Sequence, residues 1–454
     1  MLSSSKHEAG APLIGRVSWV LFEWGRNPYV QLVTIFIYAP YFARDIVGDA
    51  VRGQALWGAI SGYTGLAIAV LAPIFGAVAD AGGRRKPWIA FYGALLALAA
   101  SCLWFGVPDG TQSIIIVGAT IAIANISYEF TNVFHNSLLS SVARPQHIGA
   151  LSGLGYALGN VASVLLLIFV LLAFYLPEHP WLGLVRASHE HERIIGPLSA
   201  AWLLVFSIPL FLWTPDRPAA GHSLSEAMRL GLKSVGHTIR SLRHYDNVAL
   251  YLIARAIYND GKTAVLTFGG VYASGVFHWQ AKQLAVFGIL LCVFAALGGL
   301  LGGRLADRIG ARNAILVSIV GTMVGSVLSL GFTPDRMLFV IPHDPAQQLG
   351  IPVFHSWPEL AYLAVVAIIA VFIVAAYANS RTMLARIAPE ERMAEFFGLY
   401  ALSGTSTAFL APLAVGYVTA ATHSQQWGMA AIVAFLLVGF IGMLFVREER
   451  AKAV

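Results

Sequence analysis

Twelve predominantly apolar stretches follow one another along the chain, at 17–43, 54–79, 87–107, 112–140, 149–176, 196–214, 247–277, 281–306, 313–333, 359–386, 393–420 and 427–446. Each approaches or exceeds the roughly 20 residues that a helix needs to cross a hydrocarbon core. Runs such as Val164–Tyr175 are continuously apolar, which excludes the alternating strands of a membrane barrel. The pattern predicts an all-α membrane protein of twelve transmembrane helices. The first stretch is long and already carries Glu23 and Arg26, so it reads as a span and not as a cleavable signal peptide.

The longest polar interruption, 215–246, divides the spans six and six. The expected domains are therefore an N-terminal bundle at 1–214, a cytoplasmic linker at 215–246 and a C-terminal bundle at 247–454. Within the linker, 223–244 reads either as a basic amphipathic helix at the membrane surface or as a solvated tether. With both termini inside, the cytoplasmic segments carry 19 Lys and Arg and the outer segments 6. That asymmetry fixes the orientation, and compact loops favour a bacterial inner membrane.

Composition sharpens this picture. Of 454 residues 57% are hydrophobic and 11% charged, against about 25% charged in soluble domains, which leaves too little polar surface for a soluble enzyme. The net charge of +6 follows from the loop asymmetry, so no nucleic-acid partner is needed to explain it. Cys102 and Cys292 are isolated in apolar stretches, and the loop histidines His179, His189, His191, His343 and His355 are scattered. Neither set has metal-ligand spacing. No glycine-rich stretch is followed by the Lys-Ser/Thr of a phosphate loop, so no nucleotide, metal or other cofactor is expected.

The two halves repeat. Gly76, Asp80, Gly83 and Arg85 return as Gly303, Asp307, Gly310 and Arg312; Asn136 and Ser137 return as Asn379 and Ser380; Asn27 returns as Asn259. Three matches in order imply duplication, and repeats of this kind are common in secondary transporters. A carboxylate at a cytoplasmic helix end is suited to pair with basic groups or a helix dipole, holding one face shut. The gate candidates are Asp80, Arg84, Arg85, Asp307, Arg312, Arg381 and Arg386; Arg381 is equally suited to snorkel from its span end.

Ionisable groups at membrane depth are functional hypotheses by default. Arg26 lies roughly 14 Å into the first stretch and Asp260 roughly 20 Å into the seventh. Glu23 and Arg26 share a helical face, whereas Asp260 and Lys262 are two apart, so Gly261 between them suggests a helix break. Arg26, Arg255 and Lys262 suit an anionic or zwitterionic solute, with Asn27, Tyr29, Tyr258 and Asn259 beside them. Glu23, Glu129 and Asp260 are the candidate proton carriers. The purely structural alternative is an ion pair such as Glu23 with Arg255.

The Gly-x-x-x-Asp and basic clusters resemble the signature loop of the major facilitator superfamily. Three further segments resemble a narrower group, the autophagy-related vacuolar amino-acid effluxers: Trp19–Tyr29 in the first span, Ile257–Gly261 in the seventh, and Ala385–Tyr400 around the loop between spans 10 and 11. The resemblance implies two pseudo-symmetric six-helix bundles, alternating access and amino-acid efflux. Glu23 and Arg26 stand where the group generally has Asp and Asn, and Thr405 follows Ser403 and Gly404 where it commonly has Lys. Arg26 is accordingly read as a specificity determinant for a carboxylate.

The expectation is thus a monomeric, multi-pass, proton-coupled secondary transporter of a small amino-acid-like zwitterion or anion in a lipid bilayer, and not an enzyme. Two alternatives are a cation-coupled sugar or glycoside symporter, and a non-transporting assembly factor on the same fold.

Overall fold

The computed structural model describes residues 11–82, 84–108, 110–143, 148–216, 226, 229, 240, 244–389 and 393–449; the side chains of 73, 74, 76–82, 110, 140, 148–150 and 393–395 fall outside that description. All twelve expected spans form helices: α1 (Leu13–Tyr29), α2 (Ala50–Gly82), α3 (Lys86–Cys102), α4 (Gly110–Val142), α5 (Ile148–Val170), α6 (Ile195–Trp213), α7 (Asp246–Val276), α8 (Ala281–Ile309), α9 (Ala311–Ser329), α10 (Trp357–Ile387), α11 (Met393–Thr405, resuming as Leu410–Thr422) and α12 (Gln425–Phe445). The linker expected at 215–246, with its amphipathic segment, lies almost wholly outside the described residues.

Ten of these helical segments are long and apolar enough to cross a membrane; α1 and α7 are the two outside that set. They carry Glu23 and Arg26, and Arg255, Asp260 and Lys262 respectively. The departure from apolarity is therefore concentrated in the first helix of each half.

Local chemistry sets the shape of α1. Pro28 has no N–H to give the carbonyl of Trp24, and the indole Nε1 of Trp202 on α6 donates to that oxygen instead, at 3.0 Å. Beyond Tyr29 the chain widens into π-helix over Val30–Phe36. On α10, Ser356 and Glu359 form a capping box, and the second oxygen of Glu359 accepts from Trp279 Nε1 at 2.6 Å. The loop before α10 contains a short hairpin, β1 (Arg336–Met337) against β2 (Ile341–Pro342), where the sequence suggested no strand. Half-buried His189 and His191 turn onto the buried Glu192 carboxylate, at 3.5 and 3.1 Å.

Two compact units form, one from the described residues within Met1–Tyr38 and Val70–Gly236, the other within Ala39–Ala69 and His237–Val454. In the first, α1 packs on α5 and α6, and α3 on α4 and α6; in the second, α7 packs on α12, α9 on α10, and α9 on α12. The pairings α1·α6, α3·α4 and α3·α6 thus recur six helices later. So does a helix cap. The backbone N–H groups of Arg85 and Lys86 donate to Asp216, just beyond α6, at 3.0 and 3.1 Å. Those of Ala311 and Arg312 donate to Glu448, just beyond α12, both at 3.0 Å. Each half thereby satisfies the free N-terminal amides of its third helix with a carboxylate.

The expected break at Gly261 is absent: α7 is continuous from Asp246 to Val276. Gly261 serves close packing instead, since a Cβ there would stand 3.1 Å from Phe435 Cβ on α12. The interruption falls in α11, between Thr405 and Leu410. The backbone there turns on local hydrogen bonds, Ala408 N–H to Thr405 O and Leu410 N–H to Thr407 O.

Candidate functional site

In the first unit, the charges of α1 meet the polar face of α4. Arg26 Nη2 donates to both carboxylate oxygens of Glu23, at 2.9 and 2.8 Å, one helical turn away. It also donates to Asn132 Oδ1 at 3.2 Å, and its guanidinium lies 4.4 Å from the centre of the Tyr128 ring. The other side of Glu23 is held by His135, whose Nδ1 is 3.1 Å from Oε1. Asn132 Nδ2 reaches the half-buried Glu129 at 3.4 Å, so Glu129 joins the cluster through one amide. Farther along α1, Tyr29 donates to Asn125 Oδ1 at 2.9 Å, and Asn27 reaches Asn160 and Ser163 on α5 at 3.4 and 3.3 Å.

This closeness rests on two glycines of α5. A Cβ on Gly155 would stand 3.0 Å from the Trp19 ring, and one on Gly159 3.0 Å from Asn27 Cβ. Small residues at such positions let membrane helices approach.

In the second unit, Arg255 of α7 donates to Ser380 Oγ on α10 at 3.2 Å, and to Tyr400 O and Ser403 Oγ on α11 at 2.8 and 2.6 Å. Its guanidinium stacks 3.4 Å above the centre of the Tyr400 ring. These partners are all neutral. The Glu23–Arg255 ion pair raised by the sequence is not needed, because Glu23 is satisfied within its own unit.

Asp260 accepts from the backbone N–H of Ala411 at 2.9 Å, capping the resumed half of α11 at its positive dipole end. Its Oδ1 has no hydrogen-bond partner among the described residues. Lys262 is fully buried. Its ammonium lies 3.8 Å from the centre of the Tyr377 ring and 4.9 Å from that of Tyr258, yet no acceptor meets it among the described residues. The same holds for Asn379 Nδ2 on α10. Tyr258 donates toward, or accepts from, Ser380 Oγ at 3.1 Å, and Asn259 is buried.

The gate candidates have different surroundings within their own units. The Asp80 side chain lies outside the described residues; Arg84, Asp307 and Arg381 are exposed. Arg85 is buried, with its backbone on Asp216. Arg312 Nη2 donates to Leu444 O at 2.6 Å, and Arg386 forms an ion pair with Glu448.

Several participants were missed in the sequence as site residues: His135, Asn132, Tyr377, Asn379, Ser380, Tyr400 and Ser403. The repeat of Asn136–Ser137 as Asn379–Ser380 was the available signal for Asn379 and Ser380. The absent lysine after Ser403–Gly404 was the signal for α11: the cation at that level comes from α7, as Arg255.

Comparison with known proteins agrees with this architecture. Residues 46–454 match the family model described as Vacuole effluxer Atg22 like. An MFS-type transporter of Bacillus subtilis, YxiO, is 23% identical over 450 residues, covering 96% of either chain. Autophagy-related protein 22 of Cryptococcus neoformans is 24% identical over 315 residues, 67% of this chain; the match spans 54% of the fungal protein's length. A bacterial homologue of the human lysosomal transporter Spinster superposes with a TM-score of 0.66 at 15% identity, covering 97% of this chain and 98% of that one. The chain is therefore an integral, multi-pass membrane transporter with the major facilitator fold, not an enzyme, and it belongs to the Vacuole effluxer Atg22-like family.

Proposed function

We propose that this transporter moves a small zwitterionic or anionic, amino-acid-like solute by alternating access, driven by protons, in a bacterial inner membrane with both termini cytoplasmic. The observation that carries the solute class is Lys262: a fully buried ammonium with aromatic rings on its flanks and no acceptor among the described residues. An unpaired charge in a low-dielectric interior is costly, and a carboxylate arriving with the solute relieves that cost. Tyr258, Asn259 and Asn379 line the same part of α7 and α10, and Arg255 supplies a second positive charge whose hydrogen-bond partners are neutral.

Arg26 has a different standing. Glu23 already occupies its guanidinium, so Arg26, with Asn27 and Tyr29 of the first unit, is assigned to solute contact without supplying a free cation. The family description, vacuole effluxer, supports export of a small solute. Glu23, Glu129 and Asp260 are the acids placed to carry protons. Asp80, Arg84, Arg85, Asp307, Arg312, Arg381 and Arg386 are assigned to the cytoplasmic gate.

The test is a thermal-shift screen of the purified protein in lipid nanodiscs against amino acids, other carboxylates and sugars. Lys262→Met and Arg26→Met are run beside the wild type. Stabilisation by carboxylate-bearing solutes, lost with Lys262→Met, is the expected result. Stabilisation by sugars that survives the substitution replaces this reading with a sugar symporter. No response to any solute, from protein shown to be folded, favours a non-transporting role.

A further inference from the structure

We infer that Glu23 and His135 together hold one proton, and that this shared proton is the one coupled to transport. The inference rests on the transport reading only for its second clause. His135 is fully buried, clamped between the Trp19 ring, 4.3 Å away and nearly parallel, and the Phe22 ring at 4.6 Å. Trp19 Nε1 donates to the His135 carbonyl at 3.1 Å, which further fixes the pair of helices at this level. The ring therefore has a defined orientation, and each of its nitrogens has a defined neighbour.

Those neighbours are both oxygens. Nε2 lies 3.0 Å from the Trp19 carbonyl, and Nδ1 lies 3.1 Å from Glu23 Oε1. A backbone carbonyl and an ionised carboxylate both only accept, so each ring nitrogen is paired only when it carries a hydrogen. A neutral ring leaves the lone pair of one nitrogen facing an oxygen. If the ring is neutral and Glu23 ionised, two lone pairs oppose each other at hydrogen-bond distance inside a buried site, an arrangement that forfeits a bond and adds repulsion. Two arrangements avoid this: imidazolium with carboxylate, or neutral imidazole with carboxylic acid. They differ only in where one proton sits, and both contain it. The pair holds that proton whichever nitrogen or oxygen carries it.

The surrounding charges make that proton consequential. Arg26 on α1 faces the same carboxyl group; Glu129 and Tyr128 on α4, and Tyr156 on α5, face the cluster electrostatically. With the proton, Glu23 and His135 sum to zero and Arg26 is left positive beside Glu129. Without it, Glu23 neutralises Arg26, and Glu129 faces no uncompensated cation in the cluster. Losing one proton at His135 thus changes which acid the arginine serves. That is a local switch of the kind that can bias two conformations.

The proton count is read spectroscopically on the full chain in lipid nanodiscs at neutral pH. Ring-¹⁵N histidine spectra of wild type minus His135→Gln isolate the ring; infrared spectra of wild type minus Glu23→Gln isolate the carboxyl. Both ring nitrogens protonated, or a protonated Glu23 carboxyl, supports the inference. A neutral ring, with either nitrogen bare, beside an ionised Glu23 overturns it. Glu23→Gln should leave one bare ring nitrogen, which assigns the signal even if His135→Gln fails to fold. For coupling, proteoliposomes are given a mixture of radiolabelled L-amino acids. His135→Gln should reduce accumulation driven by a pH gradient at least tenfold more than it reduces equilibrium exchange. Equal losses in both make His135 structural and overturn the coupling role. Absence of amino-acid transport in the wild type sinks the solute reading, while the spectra still decide the proton count.

Discussion

The first helix of each half carries buried charge, but the two halves treat it differently. On α1 the cation and anion sit one turn apart and bind each other, with His135 and Asn132 completing the shell. On α7 the cations and the acid are kept apart. Arg255 spends its donors on hydroxyls and a carbonyl, Asp260 caps the broken α11, and Lys262 has only aromatic faces among the described residues. Duplicated helices have thus diverged into a self-sufficient ionic cluster and an electrostatically incomplete one. Completed clusters are suited to store a proton or hold a shape; an incomplete one is suited to wait for a charged ligand.

The largest effect that probes this contrast should come from Glu23→Ala. It leaves the Arg26 guanidinium buried without its acid, and breaking a buried pair in this way costs about 3–5 kcal/mol. The double change Glu23→Ala with Arg26→Met should recover much of that loss, measured as a double-mutant cycle on unfolding midpoint in mixed micelles. Additive losses would mean the two residues act independently, and the contrast would fail on the α1 side. Lys262→Met should do the opposite. Removing an unpaired buried charge should stabilise the solute-free protein by about 1 kcal/mol, while weakening binding of a carboxylate-bearing solute more than tenfold. A destabilised variant would show that Lys262 is structurally paired.

How far the sequence already contained this contrast depends on the kind of interaction. Helices α2 to α10 and α12 were legible to within four residues at each end, counting the short 3-10 and π turns that finish α3 and α5. A hydrocarbon core demands a long apolar run, and the loops interrupt it. The charged residues of α1 and α7 were legible too, since charge at that depth stands out against apolar neighbours. Partners were not. Glu23 meets His135 from α4, and Arg255 meets Ser403 from α11; both depend on helix rotation, which apolar periodicity in an all-round hydrophobic helix does not encode. Gly261 misled for a related reason. A glycine in a helix signals either a break or a close neighbour, and here α12 takes up the space. The true break in α11 lacks proline, and its four-residue sequence Ser406–Phe409 is ordinary for a membrane helix. Pro412, in the first turn of the helix that resumes at Leu410, was the available signal, since it has no N–H for the Ala408 carbonyl, and Asp260 caps the same turn.

Asp260→Asn gives a smaller effect that sharpens the comparison on the α7 side. Asparagine still offers an oxygen to Ala411 N–H, so the break in α11 should persist. Only the charge at the helix terminus is lost, worth about 0.3–1 kcal/mol. A shift in unfolding midpoint of that size, with solute binding retained, is expected. A collapse comparable to Glu23→Ala would show that α7 is held by ionic pairing after all.

The smallest effect lies where the two halves match most closely, at the caps of α3 and α9. Asp216 and Glu448 play the same part, and Glu448 in addition pairs with Arg386. Partial burial pushes the Glu448 carboxyl up, and the amides of Arg312 and Ala311 together with the Arg386 guanidinium more than offset this, holding it below its ordinary value of 4.5. A carboxyl lowered in the folded state contributes stability that is present above its unfolded value and lost as pH falls through the folded one. The contribution should therefore be complete above about pH 4.5 and decline below it. Glu448→Gln should flatten that part of the stability profile, costing under about 1 kcal/mol at neutral pH because the pair is partly exposed. An unchanged acid limb in the variant would assign the pH dependence elsewhere. The cap on α9 would then stand as a neutral hydrogen-bonded one, to which Arg386 adds no measurable stability.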